Sequence, residues 1–163
     1  MRVRFSLRPP KFMKINKINS LVELFFDKYK ENESFKNQIF LEWLKSEKKN
    51  FLTWKQVRDD IINLSVYLKE NLSLGDRCVL LSENRPEWLI ADIAIMNAGG
   101  VTVPLFTTYS EKDYEYIIND CEPKICIVSN NIQFKKIEKF ISSKVRVISF
   151  ENFSEKILIL KKF

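Results

Sequence analysis

The sequence predicts an α/β domain: a mainly parallel sheet made of successive βαβ units, preceded by an N-terminal helix and a β-hairpin. Three observations carry this. From residue 75 onward, short apolar runs read as strands separated by helices of about ten residues, the pattern of βαβ units. Helix start signals with Ser or Thr three residues before Glu or Gln recur ahead of the earlier periodic runs. The chain has only three glycines in 163 residues, and two of them, Gly99 and Gly100, stand side by side at the end of an apolar run.

The elements follow in order. Ser20 and Glu23 have capping-box spacing, and Leu21, Leu24, Phe25 and Lys28 step along a helix ending near Tyr29. A polar loop covers 30–37. Residues 39–44 read as a strand, with 51–53 as its hairpin partner across K-S-E-K-K-N. Thr53 and Gln56 form a second capping box, and Val57, Ile61, Leu64, Leu68 and Leu72 mark one helix face. Gly75-Asp76 is a turn. Strands are then expected at 78–81, 101–104, 125–128 and 145–148, with helices at 85–98, from Ser110 to about Cys121, and at 132–141. The crossovers are expected to be right-handed. The helix at 85–98 is apolar almost all round, so it must lie deep against the sheet. Its end must turn sharply into the next strand, which makes Gly99 the candidate for a left-handed residue just past the helix. Gly100 would let the backbone pass close to the packed helix end.

A chain of this length and 45% apolar content forms one domain with a real core. No run of about 18 apolar residues exists to cross a membrane as a helix. The net charge of +6 resides entirely in residues 1–19, where Arg2, Arg4, Arg8, Lys11, Lys14 and Lys17 meet no acid. The neutral remainder argues against a broad nucleic-acid face. The basic arm reads as a solvated, disordered segment or an upstream start, with Met13 as the alternative start. The rival reading is a targeting segment or a peripheral membrane contact. Cys78, Cys121 and Cys126 form no C-x-x-C pair, and Cys78 and Cys126 sit in apolar runs, so they read as reduced core thiols of a cytoplasmic protein. The chain has no histidine, which removes Ser-His-Asp and Cys-His catalysis and every His-based zinc site. No metal site is expected.

The first strand-to-helix turn of the sheet, S-E-N-R-P, occupies the place where ligands bind doubly wound sheets. It holds no glycine with which to approach a phosphate, and no G-K-[ST] occurs anywhere. Asn84 is expected to cap the helix with Glu87 as its capping-box partner, and Pro86 suits the first turn. The alternative is direct ligand contact by the same cluster. Arg85 is the residue least explained by punctuation, although its replacement by Ala is expected to matter little. Glu115, Asp120 and Glu122 lack the spacing of a paired acid and base. Of Tyr109, Tyr114 and Tyr116, only Tyr114 lies on the core face.

T-W-K-Q-V (53–57), G-D-R-C-V-L-L-S-E-N-R-P-E-W (75–88), A-G-G-V-T-V-P-L (98–105) and Y-I-I-N-D (116–120) resemble the N-terminal part of AMP-forming acyl-CoA synthetases. The S-E-N-R-P-E-W wording is most similar to the long-chain fatty acid–CoA ligase branch. Order and spacing together, over roughly residues 20–149, carry the likeness. It implies an incomplete N-terminal part of an adenylate-forming fold. It also implies a two-step reaction in which a fatty carboxylate attacks the α-phosphate of Mg-ATP and the thiol of coenzyme A then displaces AMP from acyl-AMP. ATP, Mg²⁺ and CoA would be the cofactors of the full-length family, with fatty acid, ATP and CoA as its small-molecule partners.

The family's phosphate loop ending in Pro-Lys-Gly, its Tyr-Gly-x-Thr-Glu motif, its ribose-binding aspartate and its C-terminal catalytic lysine are missing from these 163 residues. No catalytic, cofactor-binding or metal residue is therefore carried over. Ser82, Glu83, Asn84, Arg85, Pro86, Glu87, Trp88, Gly99, Gly100 and Pro104 remain as signature positions that are structural or weak ligand candidates. The expected organisation is a basic arm (1–19), a partial AMP-binding synthetase domain (20–149) and a tail (150–163). The expected function is that of a truncated fatty acid–CoA ligase, inactive alone; the alternative is a free-standing, non-catalytic α/β binding or regulatory module.

Overall fold

A five-stranded, wholly parallel sheet stands at the centre of the molecule, in a computed structural model that describes residues 3–5, 19–31, 33–152 and 158–159. The first helix, α1 (Leu21–Glu31), starts where the sequence places it. The Ser20 hydroxyl accepts from the Glu23 amide at 3.0 Å, while the Glu23 carboxylate reaches back to the Asn19 amide at 2.8 Å. The helix runs two residues past Tyr29, and the polar loop after it contains a short 3₁₀ turn, Glu33–Phe35.

Strands β2 (Ile39–Lys45) and β3 (Lys48–Thr53) pair antiparallel. The loop is shorter than K-S-E-K-K-N implies. Ser46 and Glu47 both take positive φ, 49° and 64°, as a two-residue type I′ hairpin turn requires. Lys48 to Asn50 are therefore strand, in a stretch whose charge hid its extended geometry. Strand β1 (Val3–Phe5) pairs antiparallel with the other edge of β2, Val3 opposite Trp43 and Phe5 opposite Leu41. The composition of the arm predicts a disordered segment with no strand; apart from β1 and Asn19 the arm lies outside the described residues. Helix α2 (Trp54–Lys69) opens with the expected Thr53–Gln56 capping box and buries Val57, Ile61, Leu64 and Leu68. Trp54 locks the hairpin to the helices, with ring centroids 4.1 Å from Phe40 and 5.4 Å from Phe25.

The sheet has the order β5-β4-β6-β7-β8, formed by β4 (Arg77–Leu81), β5 (Val101–Leu105), β6 (Ile125–Val128), β7 (Arg146–Ser149) and β8 (Leu158–Ile159). β8 falls in the tail, where the sequence analysis expects no strand. Helices α3 (Pro86–Asn97), α4 (Glu111–Cys121) and α5 (Asn131–Ile137) link the strands. The expected single helix over 132–141 is in fact α5 followed by a 3₁₀ turn, Glu138–Phe140. Pro104 is accommodated because β5 is an edge strand, the place in a sheet where a missing N–H is tolerated.

Side chains of β4 and β6 alternate between two apolar layers, as successive strand residues must. Cys78, Leu80, Ile125, Ile127 and Ile148 pack in one core with residues of α1, α2 and α3. Val79, Leu81, Cys126 and Val128 pack in the other with Tyr114 and Ile118 of α4 and Ile137 of α5. The near-continuous apolar strands follow from burial on both faces.

Candidate functional site

The carboxyl ends of β4 and β6 are the point where the sheet's connections diverge. The chain leaves β4 through α3, on the face that carries α2, and leaves β6 through α5, on the opposite face. Ligands of open α/β sheets bind in the crevice at such a point. Here the crevice is lined by the loop after β4, Ser82 to Arg85, and by Ser129, Asn130 and Gln133 after β6.

Every signature residue in this loop has a structural partner or faces out. Ser82 is buried, its hydroxyl donating to the Glu83 carbonyl at 2.8 Å. The Glu83 carboxylate accepts from Gln133 Nε2 at 2.6 Å and from Asn130 Nδ2 at 3.5 Å. Burial opposes its ionisation. Even so, the Ser129 dipole, its own amide, Gln133 and Asn130 together hold its pKa below the usual carboxylate range. The Ser129 hydroxyl does this without a well-formed hydrogen bond, and Gln133 Oε1 is likewise buried without a donor. Asn130 caps α5, its Oδ1 accepting from the Gln133 amide at 3.1 Å.

Asn84 does not cap α3. It is exposed, and the N-cap position belongs to Arg85, in extended conformation (φ −147°, ψ 160°) and with no side-chain cap bond. The cause is Pro86: proline disfavours the helical region for the residue before it, so Arg85 stays extended and the helix begins at Pro86. Glu87, in the first turn, binds Arg85 instead of a cap amide. Arg85 Nε meets Glu87 Oε2 at 3.0 Å and Nη2 meets Oε1 at 3.2 Å, while Nη1 meets Glu151 Oε1 at 2.9 Å. Its guanidinium also lies over the Phe150 ring, 5.5 Å from the centroid. Burial disfavours the Arg85 charge, yet the two carboxylates more than offset this and raise its pKa. Arg85 thus joins the loop after β4 to the chain just past β7. Trp88 is half-buried against the first core.

At the other end of α3, Gly99 has φ +90° and Gly100 follows as the close-approach residue. The Gly100 amide donates to the Ile95 carbonyl at 2.9 Å and the Gly99 amide to Met96 at 3.1 Å, a Schellman ending. A β-carbon on Gly100 would stand 3.0 Å from Ile95 Cγ2 and 3.3 Å from the Asp76 carbonyl.

Sequence reasoning missed Ser129, Asn130, Gln133, Phe150 and Glu151. Asn130 and Gln133 have cap-to-N3 spacing, a usable signal; Glu151 meets Arg85 only through the tertiary fold. Asp92 and Thr102 were also missed. Burial pushes the Asp92 carboxyl up, partly offset by the nearby Thr102 hydroxyl, which is itself buried without a well-formed bond. Among the described residues, no group of three His, Cys, Asp or Glu could hold a metal ion, and no helix is long and apolar enough to cross a membrane. The crevice residues do not fit a nucleotide phosphate either. The turn after β4 has no glycine, an ionised carboxylate faces the crevice, and the Arg85 cation is engaged by two acids.

The family model described as "AMP-binding enzyme" matches residues 29–161. The chain belongs to the AMP-binding enzyme family. "Fatty acyl-CoA synthetase A" of Dictyostelium discoideum is 35% identical to this family member over 78 residues, which are 48% of this chain and 11% of that protein. The chain spans about a tenth of the length of the curated relatives it matches. The solved structure of an anthranilate CoA ligase in complex with anthranoyl-AMP superposes with a TM-score of 0.69 at 20% identity, covering 84% of this chain and 26% of the other. A Brucella canis acyl-CoA synthetase gives 0.67 at 20% identity, covering 81% and 24%. These two likenesses concern the fold: the α/β architecture with helix, hairpin and parallel sheet is that of adenylate-forming enzymes.

Proposed function

We propose that this segment serves as scaffold in an AMP-forming fatty acid–CoA ligase, and that the groups handling ATP, Mg²⁺, CoA and the fatty carboxylate are supplied by residues other than these 163. The observation that carries the reading is the family match over 29–161. Support for the fatty acid class comes from the likeness to fatty acyl-CoA synthetase A. The division of labour rests on the crevice. Its charged side chains are engaged, Glu83 by Gln133 and Arg85 by Glu87 and Glu151, so they hold strand ends together.

The test is pyrophosphate exchange into ATP by the purified 163-residue chain with palmitate as substrate. No enzyme-dependent exchange is expected. Measurable exchange would overturn the scaffold reading, because the chain would then bind and activate both reactants.

A free-standing, non-catalytic α/β module is the second reading. It draws on the covering of both sheet faces, by α1, α2 and α3 on one side and by α4 and α5 on the other. A monodisperse chain that binds no apolar dye at high concentration would favour it. Dye binding and concentration-dependent association would favour a scaffold that needs further partners.

A further inference from the structure

Asp92 works against the fold it sits in. It lies midway along α3 and is half-buried, with Trp88 one turn before it and Met96 one turn after, both packed against the first core. Burial penalises its charge, and among the described residues no cation offsets that penalty. The polar group beside it is the Thr102 hydroxyl, whose oxygen is shielded from solvent without a well-formed hydrogen bond. A carboxylate and a hydroxyl left in this state mark a place where a donor is missing.

Backbone direction adds two acceptors at the same seam. The Val101 amide donates to the Asp76 carbonyl at 2.8 Å, just before β4, so Val101, Val103 and Leu105 turn their backbone groups toward β4. Thr102 and Pro104 therefore turn theirs outward, to the open edge of the sheet. That edge offers the carbonyls of both residues but the amide of Thr102 alone, because proline has none. Register puts both side chains on the face of Cys78 and Leu80, which is the face that carries α3. A β-strand adds poorly here, since its ladder would break at Pro104. The seam is short of donors, and a group that only donates suits it.

We propose that the seam between α3 and the outer edge of β5 docks an arginine side chain from a polypeptide segment outside these 163 residues. Its guanidinium would meet the Asp92 carboxylate, the Thr102 hydroxyl and the outward carbonyl of Thr102. A guanidinium fits better than an ammonium. Its planar fork serves a carboxylate and neighbouring acceptors together, and it is more weakly hydrated. A second copy of the chain is a poor source. The four arginines beyond the arm are already engaged: Arg58 by Asp59, Arg77 by the Cys121 carbonyl, Arg85 by Glu87 and Glu151, and Arg146 by Tyr67 and Asn71. The source of the arginine rests on the scaffold reading above, in which the segment offers surfaces to the rest of a longer enzyme. Pyrophosphate exchange by the chain alone would sink that reading and leave the binding result below intact.

The experiment is carboxyl-carbon and amide NMR of the full chain at neutral pH, titrated with N-acetyl-arginine amide. The Asp92 signal is identified by its loss in Asp92→Asn. Saturable shifts of the Asp92 carboxyl and the Thr102 amide are expected. N-acetyl-citrulline amide, which keeps the shape and lacks the charge, should leave both in place, and N-acetyl-lysine amide should bind more weakly than the arginine compound. Bound arginine amide should also bring the raised Asp92 titration midpoint down toward the ordinary 3.8. Thr102→Val keeps the shape and removes the hydroxyl, and should weaken binding by about two- to tenfold. No shift at Asp92, equal shifts from the citrulline or lysine compound, or Thr102 amide shifts that persist in Asp92→Asn would overturn the proposal. So would a self-association, seen by light scattering without added arginine amide, that Asp92→Asn abolishes.

Discussion

Arg85 and Glu151, 66 positions apart in sequence, are joined by a 2.9 Å charged hydrogen bond across the carboxyl end of the sheet. The Arg85 side chain is only 20% exposed and is held by Glu87 as well. Reading the loop as helix punctuation alone makes Arg85→Ala nearly silent, and the geometry reverses that expectation. Charged hydrogen bonds contribute about 1.5–3 kcal/mol when shielded, but both acids are partly exposed, which discounts this. Arg85→Ala is expected to cost about 1–2 kcal/mol by urea unfolding. Glu151→Gln should cost less, and the double variant should cost less than the sum of the two.

The three glycines separate two kinds of constraint. Gly75 and Gly99 both have left-handed φ, +83° and +90°, but an added β-carbon meets nothing within 4 Å at Gly75. Gly75→Ala should thus report backbone strain alone, about 1–2 kcal/mol. Gly100→Ala should report steric crowding, about 1–3 kcal/mol, against Ile95, Leu72 and the Asp76 carbonyl. Gly99→Val should combine strain with contact against Leu74 and exceed Gly75→Val, as measured by the urea midpoint.

Two carboxylates should bend the pH dependence of stability in opposite directions. Glu83 has a lowered folded-state pKa, so its contribution is present above the ordinary value of 4.5 and is lost as pH falls through the lowered one. Asp92 has a raised pKa, so folding favours its neutral form. Its stabilising effect is present below the ordinary value of 3.8 and disappears as pH rises through the folded value. Glu83→Gln should therefore lower the urea midpoint at neutral pH and converge with the parent in acid. Asp92→Asn should raise the midpoint at neutral pH and lose that advantage in acid. Parallel curves for parent and variants would contradict both assignments.

Thiol reactivity should rank by burial. Cys78 and Cys126 are fully buried, and burial pushes the Cys78 thiol up to about 12 and the Cys126 thiol higher still. Cys121 is half-buried, and its pKa is raised by burial with partial relief from Arg77. Iodoacetamide under native conditions should label Cys121 first, with Cys78 and Cys126 protected until urea unfolds the chain. Rapid native labelling of Cys78 would show that β4 opens.

Much of this fold was legible because its signals are local. The Ser20–Glu23 and Thr53–Gln56 boxes, the face Val57-Ile61-Leu64-Leu68 and the glycine after α3 each need only neighbouring residues to be recognised. The hairpin turn was misjudged because Lys48 and Lys49 look like loop residues, although a strand exposed on one side can carry them. The Asn84 cap was misassigned by counting spacing without the constraint that Pro86 places on Arg85. The crevice partners were hidden for another reason. Glu83 meets Gln133 across 50 positions and Arg85 meets Glu151 across 66, and neither pairing leaves a periodic trace. β1 was missed because strand pairing can stabilise a segment whose composition reads as solvated.

The order β5-β4-β6-β7-β8 also sets a schedule for synthesis. The first parallel strand to leave the ribosome, β4, ends up bracketed on both sides. β5 can reach it after one short helix, but its second neighbour, β6, is complete only at Val128. Until then one edge of β4, whose residues Cys78 to Leu81 are all apolar and buried in the finished sheet, stays open while some fifty residues are still being added. Translation pauses in the stretch encoding α4 would prolong that exposure and invite chaperone capture. Pauses after β6 should be harmless by comparison.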